Sequence, residues 1–269
     1  MFSARSFELA QCPCCWYSFV VDPRKDFDAL YDAAYYRGEG ADRHFNSELG
    51  LFDRSAVQVY EWEAVVEIVG QLTSTSAGMR WLDFGCGLGG LVRYGRRLGI
   101  DIIGHDEGYA AARLELDDVP LLQRQGFTDA AASFDVVTAI EVVEHTSEPL
   151  AMLRDIAMLL KPGGVLFLTT GNAQPFRAKL VSWQYVNPDV HVSFYEPRTL
   201  EIAFDRVGLK PEHLGYVPGF TTLIRCKVLR TLGLTRRHWA EHLVPWTLVS
   251  KLVDQRYQVS AHPAGRVRL

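Results

Sequence analysis

The chain has 269 residues, of which 48% are apolar and 22% are charged, so a disordered or collagen-like protein is excluded. The net charge of −4 gives no global argument for a nucleic acid or an anionic membrane as partner, and no nucleic acid is expected. Five cysteines are too few for a disulfide framework. Because neither a signal peptide nor a long apolar run is present, we expect a cytoplasmic protein without a transmembrane segment.

Strands and helices alternate along most of the sequence. Residues 1–78 form a mixed lead-in with one helix over 61–72 and a linker at 73–78. The predicted strands cover 79–84, 101–105, 119–123, 134–140, 165–170 and 209–217, and the predicted helices cover 90–98, 109–116, 149–160 and 198–207. This alternation predicts an α/β fold, a Rossmann-like doubly wound parallel sheet with N-terminal and C-terminal helical additions.

A glycine-rich loop joins the first of these strands to the helix that follows. Gly85, Gly87 and Gly90 fit the pattern G-x-G-x-x-G, and Gly89 completes G-x-G-x-G. Both patterns let the backbone approach a ligand closely at a helix N-terminus. Glycine spacing alone leaves a nicotinamide dinucleotide, S-adenosylmethionine (SAM) and an unliganded turn as alternatives.

Two acids beside this loop favour SAM. Asp83 lies two residues before Gly85, where it would repel a pyrophosphate but attract a sulfonium cofactor with an ammonium group. Asp106 ends the second strand and can accept hydrogen bonds from ribose hydroxyls, which both cofactors carry. Asp83 therefore argues against an NAD-dependent oxidoreductase.

Three later segments extend the pattern: 133–149 contains SFDVV and EVVEH, 160–166 reads LKPGGVL, and 191–200 reads HVSFYEPRTL. Together with 83–90, and in this order, they resemble the class I SAM-dependent methyltransferases over roughly residues 79–217. The E-x-x-E-H string resembles the ubiquinone-biosynthesis O-methyltransferase branch of that family.

The resemblance implies a seven-stranded sheet whose last strand is antiparallel, with SAM at the carboxyl ends of the first two strands. The residues it implies for SAM binding are Asp83, Gly85, Cys86, Gly87, Gly89, Asp106, Ile140 and Glu141. Gln-Arg-Gln at 123–125 replaces an acid that often contacts the adenine in the family. The chain is accordingly divided into a lead-in or lid (1–78), a SAM-binding methyltransferase domain (79–217) and a C-terminal helical extension (218–269).

An acidic and imidazole cluster follows the fourth strand. Glu141, Glu144 and His145 have i, i+3, i+4 spacing, which places them on one face if the turn is helical, and His191 follows in another loop. Two carboxylates and two imidazoles suit a divalent ion such as Mg²⁺, Mn²⁺ or Fe²⁺. The set resembles residues that hold a metal on the acceptor hydroxyls in ubiquinone-biosynthesis and small-RNA 2′-O-methyltransferases. Without a metal, His145 or His191 is the expected general base.

These motifs predict an enzyme that moves a methyl group from SAM to a small-molecule acceptor at a hydroxyl oxygen. The acceptor classes considered are a sugar, a polysaccharide precursor and a quinone-like molecule. A C- or N-methyltransferase and a non-catalytic SAM-binding protein are the alternatives.

A C-x-x-C pair near the N-terminus, Cys12 and Cys15, resembles the second knuckle of a zinc ribbon that precedes some SAM methyltransferases. The first knuckle is absent, and Trp16 stands where such knuckles usually have glycine. We therefore expect a relic of the ribbon with free thiols rather than bound zinc.

Aromatic and basic residues outside the motifs allow more than one interpretation. Tyr31, Tyr35 and Tyr36 are predicted either to cover the cofactor cleft or to pack in the core. Five basic residues, Arg225, Lys227, Arg230, Arg236 and Arg237, are predicted to bind an anionic acceptor or to form a solvated helix face. Contact of this stretch with a membrane surface is a third alternative, although its length and charge are modest. Trp239, Trp246 and Tyr257 are predicted to pack over the acceptor side.

Overall fold

The computed structural model describes residues 6–40, 46, 48–73, 78–213, 218–257 and 265–268. The strands in these residues are β1 (Leu9–Gln11), β2 (Ser18–Val20), β3 (Arg80–Phe84), β4 (Asp101–His105), β5 (Phe134–Ile140), β6 (Leu160–Thr169), β7 (Ser193–Phe194), β8 (Lys210–His213) and β9 (Gly265–Arg268). The α-helices are α1 (Phe27–Leu30), α2 (Ala33–Tyr36), α3 (Glu48–Phe52), α4 (Val59–Thr73), α5 (Gly90–Arg97), α6 (Gly108–Leu116), α7 (Pro149–Leu159), α8 (Pro197–Asp205), α9 (Pro218–Thr231) and α10 (Trp246–Tyr257). Short 3₁₀ helices cover Arg124–Gly126, Val143–His145, Gln174–Ser182 and Trp239–Leu243.

The main sheet has six strands in the order β4-β3-β5-β6-β9-β8. Neighbours from β4 to β6 are parallel, whereas β9 runs antiparallel to both β6 and β8. The predicted Rossmann-like sheet with an antiparallel last strand is therefore confirmed. That strand, β9, belongs to the segment 218–269, so the prediction of a purely helical C-terminal extension is wrong. The linker at 74–77 and the end of the predicted strand at 214–217 lie outside the described residues.

The third predicted strand, 119–123, does not form. Its pairing is reduced to a single bridge between Leu121 and Gly104, supported by two backbone hydrogen bonds of 2.9 and 2.8 Å. Pro120 has no N–H to donate to a ladder, and the chain turns into the 3₁₀ helix at 124–126 directly afterwards. The implied seven-stranded sheet is thus six-stranded over the described residues.

Both faces of the sheet are covered by helices, which explains why β5 is almost continuously apolar. The helices α7 and α8 bury one face, and α4, α5 and α6 bury the other. Their main contributions are Leu153, Ile156, Leu200 and Phe204 on the first face and Trp62, Ile68, Leu91 and Leu114 on the second. Each such side chain contributes roughly 1.5–3 kcal/mol when fully buried.

The N-terminal part contains a β-hairpin that the sequence does not predict. Strands β1 and β2 pair antiparallel, and β2 pairs with β7, which begins two residues after His191. Cys12 and Cys15 lie in the hairpin turn with free thiols, and Trp16 has a φ of +65°. The hairpin therefore braces the segment that carries His191.

The C-terminal helix α9 packs along α4, and basic residues of α9 and of the segment after it pair with the protein's own acids. Arg225 pairs with buried Glu241 at 2.8 Å, and Arg237 pairs with Glu63 at 3.0 Å. The interpretation as a solvated helix face does not hold for Arg225, whose guanidinium also lies over the ring of Tyr60. Of the described helices, none is long and apolar enough to cross a membrane.

Candidate functional site

The glycine loop after β3 has a backbone that only glycine adopts easily. Gly85, Gly87 and Gly89 have φ values of +74°, +53° and +73°. The N–H of Gly85 donates to the carbonyl of His105 at 2.8 Å, which ties the loop to the end of β4. A Cβ on Gly85 would lie 2.5 Å from Cγ2 of Val142, so the loop also touches the turn after β5.

Asp106 closes the loop from the other side. Its Oδ2 accepts the N–H of Gly87 at 2.7 Å, and its Oδ1 accepts the N–H of Glu107 at 2.8 Å. Burial raises the pKa of the Asp106 carboxyl to about 6. A carboxylate has about four lone-pair sites, so two backbone donors leave capacity for ribose hydroxyls.

Asp83 lies deeper, in the strand itself. Its carboxyl accepts a hydrogen bond from Oγ1 of Thr138 at 2.7 Å, and Thr138 in turn accepts from Nε1 of Trp81. Burial raises the pKa of the Asp83 carboxyl to about 7. Asp83 therefore connects β3 to β5 beneath the loop.

Cys86 and Ile140 form parts of the wall. The Sγ of Cys86 lies so close to Gly104 that a Cβ there would approach it to 2.5 Å. The backbone N–H of Cys86 donates to the carbonyl of His105 at 3.1 Å. Ile140 ends β5 and packs, half-buried, against the cluster under α4 and α5. Their side chains are thus committed to packing.

Three of the four predicted metal ligands come together. One ligand atom from each of Glu144, His145 and His191 lies within 4.8 Å of the other two. This is the one such group found among the described residues. Glu141 precedes the 3₁₀ helix at 143–145 with a φ of +53°, an uncommon value for a residue other than glycine. The predicted single helical face is therefore replaced by a tight turn.

Backbone carbonyls fix the orientation of both imidazoles. Nδ1 of His145 lies 2.9 Å from the carbonyl of Val190, and Nδ1 of His191 lies 2.7 Å from the carbonyl of Tyr185. Because a carbonyl can only accept, each Nδ1 carries the hydrogen and each lone pair is on Nε2. Burial, together with His191, lowers the pKa of His145 to about 3, so that ring is neutral. Hydrogen bonds from a ring N–H to a backbone carbonyl are typical of metal-binding histidines.

Tyr185 connects the two glutamates. Its hydroxyl contacts Oε2 of Glu141 at 2.9 Å and also contacts Glu144, while Thr170 donates to Glu144 at 2.9 Å. Burial and the charge of Glu141 raise the pKa of Glu144 to about 8. The Tyr185 hydroxyl has one hydrogen and can donate it to only one of the two carboxylates. With that hydrogen given to Glu141, the contact with Glu144 requires a proton on the Glu144 carboxyl. A bound cation would displace that proton.

Lys227 reaches the same turn from α9. Its Nζ lies 3.7 Å from Oε1 of Glu141, which also accepts from the hydroxyl of Thr169. Glu141 is therefore held by hydroxyls and an ammonium group, outside the three-residue cluster. The sequence predicts no contact of Tyr185 or Lys227 with Glu141, since no local pattern relates these residues to 141–145.

The N-terminal tyrosines span the two halves of the site. Cε1 of Tyr36 lies 3.6 Å from where a Cβ on Gly87 would stand, and the Tyr31 hydroxyl lies 2.9 Å from Nδ1 of His145. Tyr35 packs edge-on against both Tyr31 and Tyr36. The tyrosines are therefore packed, and they contact both the glycine loop and His145. That they cover a bound cofactor stays a prediction.

The sequence model of the family described as "Methyltransferase domain" matches residues 60–214. A ubiquinone biosynthesis O-methyltransferase of Xanthomonas campestris is 42% identical over 121 residues, covering 40% of this chain and 51% of that protein. One of Brucella ovis is 31% identical over 150 residues, covering 49% and 60%. The chain therefore spans about half the length of the curated relatives it matches.

The fold also occurs in solved structures. A chain in the complex of the Haloferax volcanii Trm112 methyltransferase activator with a methyltransferase covers 91% of this chain and 98% of its own length. The TM-score is 0.50 at 20% sequence identity, so the likeness concerns the fold alone. Because the family model matches more than half of the chain, the protein belongs to the methyltransferase-domain family, and the prediction of the class I SAM-dependent methyltransferase family is confirmed.

Proposed function

We propose that this chain transfers a methyl group from SAM to a hydroxyl oxygen of a small aromatic, quinone-like acceptor. The observation that carries the proposal is the contact between Gly85 and Val142. It joins the glycine loop directly to the turn that bears Glu144 and His145. A methyl donor in the loop and an acceptor at the cluster would therefore be neighbours, which is the main requirement of a displacement reaction.

The glycine loop and Asp106 fit SAM. The left-handed glycines leave backbone exposed where a Cβ on Gly87 would meet Tyr36 alone, at 3.6 Å. Asp106 would accept from the ribose hydroxyls, and the N-terminus of α5 begins at Gly90. SAM supplies an activated methyl group on a sulfonium. The remaining predicted cofactor residues, Asp83, Cys86 and Ile140, would support this loop from below.

The donor set of Glu144, His145 and His191 fits a divalent cation such as Mg²⁺ or Mn²⁺. One carboxylate and two imidazoles with their Nδ1 hydrogens already directed at carbonyls form a preorganised group. A cation there would lower the pKa of an acceptor hydroxyl. Glu141 would not bind the cation directly, and its link to this set is the hydrogen bond that it accepts from the Tyr185 hydroxyl.

The acceptor side is aromatic. Trp183 stacks on Tyr185 with ring centroids 4.7 Å apart, and Tyr185 lies 4.2 Å from the ring of His191. Flat aromatic walls favour a flat ring as ligand. The curated relatives named above are O-methyltransferases of ubiquinone biosynthesis, and this supports a phenolic hydroxyl as the acceptor.

The test uses the purified full chain with SAM and a panel of dihydroxyaryl compounds. We expect calorimetric SAM binding that Asp106→Asn weakens, and an acceptor mass increase of one methyl located on oxygen. Chelation should abolish turnover, and Mg²⁺ or Mn²⁺ should restore it. Full activity in chelator would assign proton removal to an imidazole instead. Absence of SAM binding, or methylation of nitrogen or carbon alone, would overturn the proposal.

A further inference from the structure

A short C-terminal segment exposes many apolar side chains. Of thirteen large hydrophobic residues exposed among those described, six lie between residues 232 and 248. They are Leu232, Leu234, Trp239, Leu243, Val244 and Leu248, hereafter the apolar face. Exposed hydrophobic residues scattered singly are normal, whereas a concentration in one stretch indicates a binding surface.

The three aromatic residues predicted to pack over the acceptor side have different outcomes. The prediction is wrong for Trp239, which is exposed. Trp246 packs against α4 and α9, and the Tyr257 side chain lies outside those described.

Within this segment a charged side chain is buried, whereas large apolar side chains are exposed. Glu241, in its middle, is only 4% exposed and accepts from the guanidinium of Arg225 and the hydroxyl of Tyr60. Trp239 and Leu243, two residues to either side, are 70% and 74% exposed. The charge is directed inward and the apolar groups outward, which is the reverse of the usual preference in water.

The apolar face rests on a fixed scaffold. The N–H of Arg237 donates to the carbonyl of Ser55 at 2.6 Å, and the N–H of Val57 donates to the carbonyl of Thr235 at 2.9 Å. Nε1 of Trp246 donates to the carbonyl of Glu241 at 2.8 Å. The outward side chains are therefore presented by ordered backbone.

Positive charge accompanies the apolar face. Residues 218–257 contain seven Lys or Arg and two Asp or Glu, although the whole chain carries −4. Three of these cations, Lys227, Arg236 and Arg237, pair with acids outside the segment, so a net charge of +2 remains there. Arg236, 69% exposed with a partner at Asp53, and exposed Lys251 lie within and beside the face. An exposed pair of this kind contributes little free energy, so the guanidinium can exchange Asp53 for another anion at low cost. Tryptophan and leucine bordered by Lys and Arg are typical of surfaces that lie on a bilayer.

We propose that the apolar face and its flanking cations bind the surface of an anionic lipid bilayer. Trp239 and Leu243 would enter the headgroup boundary, and Arg236 and Lys251 would meet the lipid phosphates. A second copy of the chain is a poorer occupant, because it would place two positively charged segments against each other. The proposal does not depend on the methyl acceptor.

The test is co-sedimentation of the full chain with phosphatidylcholine vesicles, with and without phosphatidylglycerol. We expect binding that is stronger with the anionic lipid. Trp239→Ser with Leu243→Ser should weaken binding at least tenfold, about 1.4 kcal/mol, because two large apolar groups no longer enter the membrane. Arg236→Gln should weaken binding about fivefold and only on anionic vesicles.

A matched control and a solution measurement keep the result specific. Leu116 is 82% exposed on α6, away from the apolar face, so Leu116→Ser should bind vesicles like the unaltered chain. SAM binding should be unchanged in all these variants, which shows that they fold. Equal loss in Leu116→Ser would overturn the proposal. So would absence of vesicle binding together with a concentration-dependent dimer that the Trp239 and Leu243 changes dissociate.

Discussion

The two halves of the candidate site lie at the same edge of the sheet but are built differently. The cofactor loop comes from one stretch, residues 83–106, and consists largely of backbone and glycine. The cluster comes from two distant segments, with Glu144 and His145 after β5 and His191 before β7, and consists of one buried carboxyl and two partly buried imidazoles. The loop should therefore respond to changes of shape, whereas the cluster should respond to changes of charge.

The largest expected effect is on the charge of the cluster. Glu144→Gln keeps the shape of the side chain but removes the carboxylate that lies among the ligand atoms. We expect turnover to fall by about 100-fold or more, with little change in SAM affinity. Initial rates at saturating acceptor, alongside calorimetric SAM titration, measure both.

Glu141→Gln is the matched control for this change. Glu141 lies in the same turn and shares Tyr185, but it stands outside the three-residue group. We expect a loss of about tenfold or less. A greater loss in Glu141→Gln than in Glu144→Gln would contradict the assignment of the cluster.

The next effect is on the shape of the loop. Gly85→Ala adds a Cβ 2.5 Å from Val142 at a φ of +74°, and both the clash and the left-handed backbone oppose it. We expect roughly 1–3 kcal/mol of lost stability and at least about tenfold weaker SAM binding. Urea unfolding and calorimetry measure the two losses.

Gly99→Ala separates the two causes. Gly99 has a φ of +80° but no atom within 4 Å of its added Cβ. We expect only the backbone cost, of about 1–2 kcal/mol, with unchanged SAM affinity. Equal SAM affinities in the two variants would show that the Val142 contact is not part of the cofactor loop.

The same contrast explains what the sequence can predict. The glycine loop and β5 can be predicted because each is specified by neighbouring residues. Glycine spacing specifies the loop, and an apolar run specifies β5. The third strand is predicted wrongly, because Pro120 removes the donor that a ladder needs. The hairpin strands β1 and β2 are three residues each, too short for an alternating pattern to indicate them.

The cluster is only partly predictable for a different reason. Glu144 and His145 share one motif, but Tyr185 and Lys227 reach it through tertiary packing. The i, i+3, i+4 spacing predicts that Glu141 and Glu144 act alike, whereas the left-handed backbone at Glu141 separates them. Glu141 and Glu144 differ in the side chains that they contact, and these contacts cannot be predicted from the sequence.

A smaller effect concerns pH and the stability of the protein in chelator. The pKa of Glu144 is raised from an ordinary value of 4.5 to about 8, and those of Asp83 and Asp106 are raised to about 7 and 6. An acid with a raised pKa in the folded state stabilises fully below its unfolded pKa, and this contribution is lost as pH rises through the folded pKa. The free energy of unfolding should therefore fall between about pH 4 and pH 8.

Glu144→Gln tests which group causes this fall. The amide cannot ionise. The free energy of unfolding of the variant should therefore decline less between about pH 7, the pKa of Asp83, and about pH 8, the pKa of Glu144. Mg²⁺ or Mn²⁺ should also reduce the decline in the unaltered protein, because a cation would take the place of the proton. Urea midpoints across this pH range measure both, and parallel curves for the variant and the unaltered chain would refute the assignment to Glu144.

The smallest expected effect concerns Lys227, which connects the C-terminal extension to Glu141. Lys227 lies beyond residues 60–214 of the family match, yet its Nζ is 3.7 Å from Glu141. Both side chains are partly exposed, so the pair should contribute modestly. Lys227→Met should lower turnover about two- to fivefold, because Glu141 loses a cation that orients it beside Tyr185.

Charge rather than packing should account for this change. Lys227→Arg keeps the cation and should restore most of the turnover, whereas Lys251→Met removes an exposed lysine from α10 and should leave turnover in vesicle-free solution unaltered. Because α9 packs along α4, a purely structural role would lower the urea midpoint together with the rate. A rate loss at constant midpoint would make α9 part of the catalytic half, so that the division at residue 217 would separate a helix from the site it serves. Equal rates for Lys227→Met and the unaltered chain would confine the active site to the matched domain and the N-terminal tyrosines.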